Sequence, residues 1–407
     1  MEGLKKMRIA FLVWEYPPKL VGGLGTYAYE VTRQYVRMGH DVSVFTMNDG
    51  TLKTREVVQG VEIHRPLIVD VTPIIPDIVA EEIRRWGPGV KFFSDILTYN
   101  LLSASKLCNE LVRKQGEKFD VLSIHDWLSV MGGVIVKREL ELPMVFHVHS
   151  TEKGRTLGDG SRTVEELELK GAATSDGIVT VSHAMAEELR SLGYPMEKVH
   201  VVWNGVDPDK YDSSKVSEEE IRNLRSGYGI GEGRPMILFI GRLVGVKGVD
   251  KLVMAMKQVA ERVPDAKLVI VGKGEMLHYL IDLTAQLGID KNVIIRAEML
   301  PELVRILHYA ASDICVFPSL YEPFGIVALE AMSMAKPVIV GAKGISGFAE
   351  SVVPSGPDQT GLHVNPYDPT DIAHAILYLI DNPDRAKEMG RKGRERVLRE
   401  FTWKKVA

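Results

Sequence analysis

The sequence predicts an α/β protein made of two domains, each a doubly wound parallel sheet. Three observations predict it. Short apolar, β-branched runs alternate with longer helical patterns along the whole chain. Many of those runs are apolar without alternation, as strands buried on both faces are. A length of 407 residues is also too great for one ordinary domain and comfortable for two.

In chain order, the first half offers strands at 8–13, 41–46, 61–64, 121–125, 144–149, 177–181 and 199–202. The second offers 236–240, 267–271, 293–295, 314–317 and 337–340. Helical periodicity falls at 27–38, 251–262, 276–287 and 326–334. The proline-bearing segment 67–88 has only a weak helical pattern and reads as an irregular excursion. The rhythm breaks at Asp207-Pro-Asp-Lys-Tyr-Asp-Ser-Ser, a polar turn-forming stretch followed by a charged helix from about Ser217. This places the division near residue 212, giving domains 1–212 and 213–407. Two such sheets on one linker predict a ligand cleft at the carboxyl ends of their strands.

Composition narrows the function classes. A formal charge of −4 gives no positive field to gather nucleic acid. The two cysteines, Cys108 and Cys315, sit in apolar runs and lack the spacing of a zinc site or disulfide framework. No apolar stretch approaches the roughly 20 residues that span a bilayer, and residues 1–6 lack a signal-peptide core, so a cytoplasmic protein is expected.

The strongest chemical signal is Pro318-Ser-Leu-Tyr-Glu-Pro-Phe-Gly-Ile-Val-Ala-Leu-Glu. A strand ending at Phe317 feeds a loop and then a helix opening near Gly325 or Ile326, which aims free N–H groups at an anion. Glu322 precedes the helix and Glu330 lies about a turn inside it. They face different parts of one extended ligand and are too far apart to form an acid/base pair. Carboxylates suit sugar hydroxyls. Glu330 stands between Leu329 and Ala331, where an unpaired carboxylate is costly. The second signal is Ile240-Gly-Arg-Leu-Val-Gly-Val-Lys-Gly, which sets Arg242 and Lys247 behind another strand of the same sheet. Two cations at that edge would neutralise a diphosphate without a metal.

These motifs closely resemble those of retaining GT-B glycosyltransferases, two Rossmann-like domains facing a cleft. Within them the chain resembles the GT4/GT5-like family of glycogen and starch synthases (archaeal-type glycogen synthases included) and sucrose synthases. The resemblance spans nearly the whole chain. It implies a UDP- or ADP-sugar donor, a glycan or other hydroxyl acceptor, no metal and no cofactor. Arg242 and Lys247 would bind the donor phosphates, Glu322 the hexose hydroxyls and Glu330 the ribose. Phe324, Gly325 and Ile326 would offer their backbones, Tyr321 would flank the nucleotide, and Met299 in loop 297–301 would touch the base. In the first domain, Gly22 and Gly23 resemble the family's glycine loop, and His149 its active-site histidine. Strand alternation points His147 and His149 the same way, so only the resemblance selects His149. His125-Asp-Trp resembles the synthases' His-Asp-Trp, which implies Asp126 and Trp127 on the acceptor side. One departure is Leu20, where bacterial glycogen synthases carry the lysine of Lys-x-Gly-Gly; here Lys19 stands one residue early.

Two other matches are declined. Gly23-Leu-Gly-Thr-Tyr-Ala fits a dinucleotide fingerprint with Asp49 in the acidic position, but residues 14–21 separate it from its strand. Asp207-Pro-Asp looks like a metal motif but has no partner ligands. The basic run 391–405 reads as a solvated helix face in preference to a peripheral membrane contact. The expected activity is glucosyl transfer to an α-glucan. Its rivals are a transferase for a glycolipid, surface polysaccharide or small glucoside, a sugar-nucleotide epimerase and a non-catalytic sensor.

Overall fold

A computed structural model describes residues 5–20 and 22–407. The start of the chain, on which the signal-peptide reading rests, lies mostly outside them. The chain divides into two compact units. The first comprises residues 1–181 and 186–202 with Ala407, the second residues 182–185 and 203–406.

Among its described residues the first unit holds eight strands: β1 (Arg8–Leu12), β2 (Asp41–Phe45), β3 (Arg55–Val58), β4 (Val61–His64), β5 (Val121–His125), β6 (Met144–Val148), β7 (Gly177–Thr180) and β8 (Val199–Val201). Their order is β3-β4-β2-β1-β5-β6-β7-β8, parallel except for the antiparallel β3–β4 edge. β1, β2 and β5 are almost wholly buried, in keeping with their largely apolar sequences, which Ser43, Ser123 and His125 interrupt. The excursion at 67–88 contains two short helices, Ile75–Ile78 and Glu81–Arg84. Ile75 and Ile83 sink into a cluster with Trp14, Phe93, Tyr99 and Trp127.

The second unit has six parallel strands: β9 (Met236–Ile240), β10 (Lys267–Val271), β11 (Val293–Arg296), β12 (Ile314–Phe317), β13 (Val338–Gly341) and β14 (Gly361–Val364). Their order is β11-β10-β9-β12-β13-β14. The order reverses between β9 and β12, which are direct neighbours, and such a switch point opens a crevice at the carboxyl ends of its strands.

The structure divides the chain earlier than residue 212. Segment 203–212 belongs to the second unit because it is tied down there. Val206 N–H donates to Phe401 O at 2.9 Å, Ser333 Oγ donates to Tyr211 O at 2.7 Å, and Arg394 pairs with Asp212 at 2.9 Å. The helix Gly23–Arg37 starts four residues before the periodicity indicates, since its first turn is glycine-rich and carries little pattern. No helix among the described residues is long and apolar enough to cross a membrane.

Candidate active site

In the second unit, the loops after β9 and β12 form one structure. Leu320 N–H donates to Val246 O at 2.8 Å. Gly248 has φ +63 and carries no side chain; a Cβ there would stand 2.1 Å from Pro318 O. This close approach brings Lys247 onto Glu322: Nζ lies 2.6 Å from Oε2, and Ser319 Oγ donates to the same oxygen at 3.0 Å. Glu322 is only 7% exposed, a burial that the ammonium makes tolerable. Arg242 lies at the head of the same β9 loop. It is exposed and has no ion pair or side-chain hydrogen bond among the described residues. The pair and the unengaged guanidinium therefore share one sheet edge, as the sequence indicates.

The helix Ile326–Ser333 opens next to this edge. Its N-cap, Gly325, has φ +94, and a Cβ there would collide with Phe348 at 1.9 Å. No side chain caps the helix, so its first turn keeps the anion-favouring end of the dipole. Phe324 and Tyr321 are buried, so any ligand contact from Phe324 runs through its backbone. Tyr321 is 5% exposed, and its OH donates to Met185 Sδ at 3.3 Å. Met299 is exposed in the loop after β11.

Glu330 is held separately from Glu322. It is 4% exposed, and its Oε1 accepts from Tyr211 OH at 2.9 Å, its Oε2 from Tyr309 OH at 2.8 Å. Arg305 lies 3.4 Å from the same carboxylate. The need for a partner is legible in the sequence; these three partners are not named by it. One signal exists: Arg305 and Tyr309 are four apart on the helix Glu302–Ala311 and so share a face.

In the first unit, the carboxyl edge carries a histidine group. His125 ends β5, His147 lies in β6 beside it, and His149 follows β6. His125 Nδ1 is 3.1 Å from His149 Nε2, and Tyr27 OH is 3.3 Å from His147 Nδ1. Burial, reinforced by the neighbouring imidazoles, holds His125 well below the usual histidine range, and burial pushes His147 and His149 down to about 3. All three rings are therefore neutral at pH 7. Their ligand atoms lie within 4.8 Å of one another. The His125 and His147 rings stack face to face at 4.4 Å with planes 20° apart, so no nearby point lies in both planes to receive an ion.

Asp126 has φ +51, and its carboxylate accepts the His149 N–H at 2.8 Å and the Ser150 N–H. Burial raises it to about 6, against the lowering effect of Arg155. It is thus the brace of the His149 loop. Trp127 is 5% exposed and packs into the apolar cluster with Trp14, Phe93 and Tyr99. Gly22 caps the helix Gly23–Arg37, and its N–H donates to Glu15 Oε2 at 3.1 Å. Lys19 pairs with Asp49 at 2.5 Å. Asp207 Oδ1 accepts from its own turn, from the N–H groups of Asp209 and Lys210, which accounts for the Asp-Pro-Asp run without a metal. The basic C-terminal helix is balanced on its own surface, Arg391 pairing with Glu388 and Arg396 with Glu400.

Comparison with known proteins gives concordant matches. The family model Glycosyl transferases group 1 matches residues 220–396, and the model Glycosyltransferase Family 4 matches residues 21–210. An uncharacterised glycosyltransferase of Methanocaldococcus jannaschii is 33% identical over 405 residues, covering 98% of this chain and 96% of its own. A glycogen synthase of Mycobacterium tuberculosis is 29% identical over 416 residues, covering 98% and 92%. The solved structure of sucrose-phosphate synthase from Thermosynechococcus elongatus shares the fold with a TM-score of 0.80 at 22% identity, covering 98% and 96%.

Proposed function

The chain belongs to the GT4/GT5-like glycosyltransferases of the GT-B fold, and on that premise we propose that it moves glucose from a nucleoside diphosphate to a hydroxyl of an α-glucan with retention of configuration. The observation that carries this reading is the Lys247–Glu322 pair beside the unengaged Arg242. A bound diphosphate draws on Arg242 and Lys247, while Glu322 accepts from hexose hydroxyls. As the glycosidic bond to the diphosphate breaks, negative charge grows on the leaving oxygen. The two cations and the uncapped helix start at Ile326 stabilise it, and no resident metal is required. Glu330, already oriented by two tyrosines and Arg305, offers its remaining lone pairs to the ribose. The second unit thus takes the donor and the first the acceptor. A glucan acceptor is supported by the likeness to a protein named glycogen synthase.

The test is a panel of UDP- and ADP-sugars against glycogen and short maltooligosaccharides. Nucleotide release and product linkage are scored. Release that requires a glucan and yields an α-linkage supports the proposal. Turnover that needs no acceptor, or only a lipid acceptor, overturns it.

A further inference from the structure

Three polar groups stand in line at the carboxyl edge of the first sheet. Ser123 Oγ is 3.0 Å from His125 Nε2, and His125 Nδ1 is 3.1 Å from His149 Nε2. Ser123 and His125 are buried, and the Ser123 hydroxyl has no other partner among the described residues. His149 is partly exposed, with its Nδ1 unengaged among the described residues.

A neutral imidazole carries one N–H and one bare nitrogen. The proton between His125 and His149 therefore belongs to one ring or the other, and the choice propagates along the line. If His149 Nε2 held it, His125 Nδ1 would accept and His125 Nε2 would donate to Ser123 Oγ. The serine's own hydroxyl proton would then be buried with no acceptor, which carries the full desolvation cost of that group. If His125 Nδ1 holds it, His125 Nε2 is bare and accepts from Ser123 O–H. Every buried proton then has a partner. In this arrangement His149 accepts at Nε2 and carries its own proton on Nδ1.

We propose that Ser123 and His125 are positioning residues that lock His149 in its Nδ1–H form, so that His149 meets its ligand as a hydrogen-bond donor. The ligand class is an oxygen acceptor, a sugar hydroxyl or phosphate oxygen. Proton abstraction by His149 is excluded, because its lone-pair nitrogen is already occupied. This rests on the proposed hexose transfer and on the resemblance of His149 to the family's active-site histidine. Its neutrality agrees with the depressed pKa values of both rings.

The experiment is long-range 1H–15N correlation on the full chain labelled with 15N-histidine, with His149→Asn identifying the resonances of that ring. The expected spectrum shows His149 Nδ1 protonated and Nε2 bare. Ser123→Ala releases the lock: the two nitrogens move toward averaged shifts, and kcat falls about 10-fold with KM for the donor little changed, less than the ~10²–10³ of deleting a donor outright. Ser123→Thr, which keeps the hydroxyl, restores both. A native spectrum with the proton on His149 Nε2, or a Ser123→Ala spectrum identical to the native one, overturns the proposal. The spectra are read without turnover. If they behave as expected while His149→Ala transfers hexose at the native rate, the relay stands and the catalytic reading of His149 fails.

Discussion

Lys247 Nζ lies 2.6 Å from Glu322 Oε2, joining the loop after β9 to the loop after β12 at the point where the second sheet reverses its strand order. One contact thus serves two ends. It neutralises a buried carboxylate in the free protein, and it keeps an ammonium at the edge where a diphosphate would arrive.

Lys247→Ala should reveal both roles. Removing the ammonium leaves Glu322 mostly buried with Ser319 as its one remaining carboxylate partner among the described residues, at a cost of about 2 kcal/mol in urea unfolding. Donor turnover should fall by about 10²–10³. Unchanged turnover with the stability loss intact would make the lysine a purely structural counter-ion.

The Glu330 network makes a separate prediction. Glu330→Ala leaves Arg305 without its counter-ion, the Tyr211 hydroxyl without its acceptor and the Tyr309 hydroxyl with only a long 3.5 Å contact to Val327 O, a loss of about 3–5 kcal/mol. Tyr309→Phe removes the bond to Glu330 and the long contact to Val327 O, at about 1 kcal/mol. A double-mutant cycle of Tyr211→Phe and Tyr309→Phe should be non-additive, because both bind one carboxylate. Simple additivity would dissolve the network.

Asp126 should act through the loop it braces. Asp126→Ala removes the acceptor for the His149 N–H and places alanine at φ +51. We expect a loss of about 2 kcal/mol and faster hydrogen exchange at His149 and Ser150. An exchange rate unchanged at those amides would return Asp126 to direct ligand contact.

The buried histidines give a pH dependence with a definite sign. His147 titrates near 3 in the folded chain and near its ordinary value when unfolded. Between those values the unfolded state binds the extra proton, so this stabilisation is full at pH 7 and is lost as pH falls. Relative to His147→Phe, the native chain should lose about 1.4 kcal/mol per pH unit between pH 6 and 4. Parallel stability curves for the two proteins would show that His147 is charged or solvated in the folded state.

How much of this was legible depends on which forces act locally. The strands at 121–125, 236–240, 267–271 and 314–317 match those observed to the residue, because strands buried on both faces write themselves as largely apolar runs. The edge strands β3, mostly exposed, and β14, a four-residue strand that is only half-buried, carry no such run and were not anticipated. The site is legible as residue types at strand ends: Arg242, Lys247, Glu322 and Glu330 stand where the βα-loops begin. Side-chain direction is not legible. Trp127 and Tyr321 turn inward, and the polar stretch at 207–214 looks like a free linker until Tyr211 is seen on Glu330. The partner residues of Glu330 are 119 and 21 positions away for the two tyrosines, beyond any local pattern.

The most direct test of the donor reading is acceptor-dependent nucleotide release by native protein and by Arg242→Ala, with the fold checked by circular dichroism. The Arg242 side chain makes no hydrogen bond or ion pair among the described residues, so the variant should fold normally and lose about 10²–10³ in kcat. A correctly folded Arg242→Ala protein that releases nucleotide at the native rate would contradict the account.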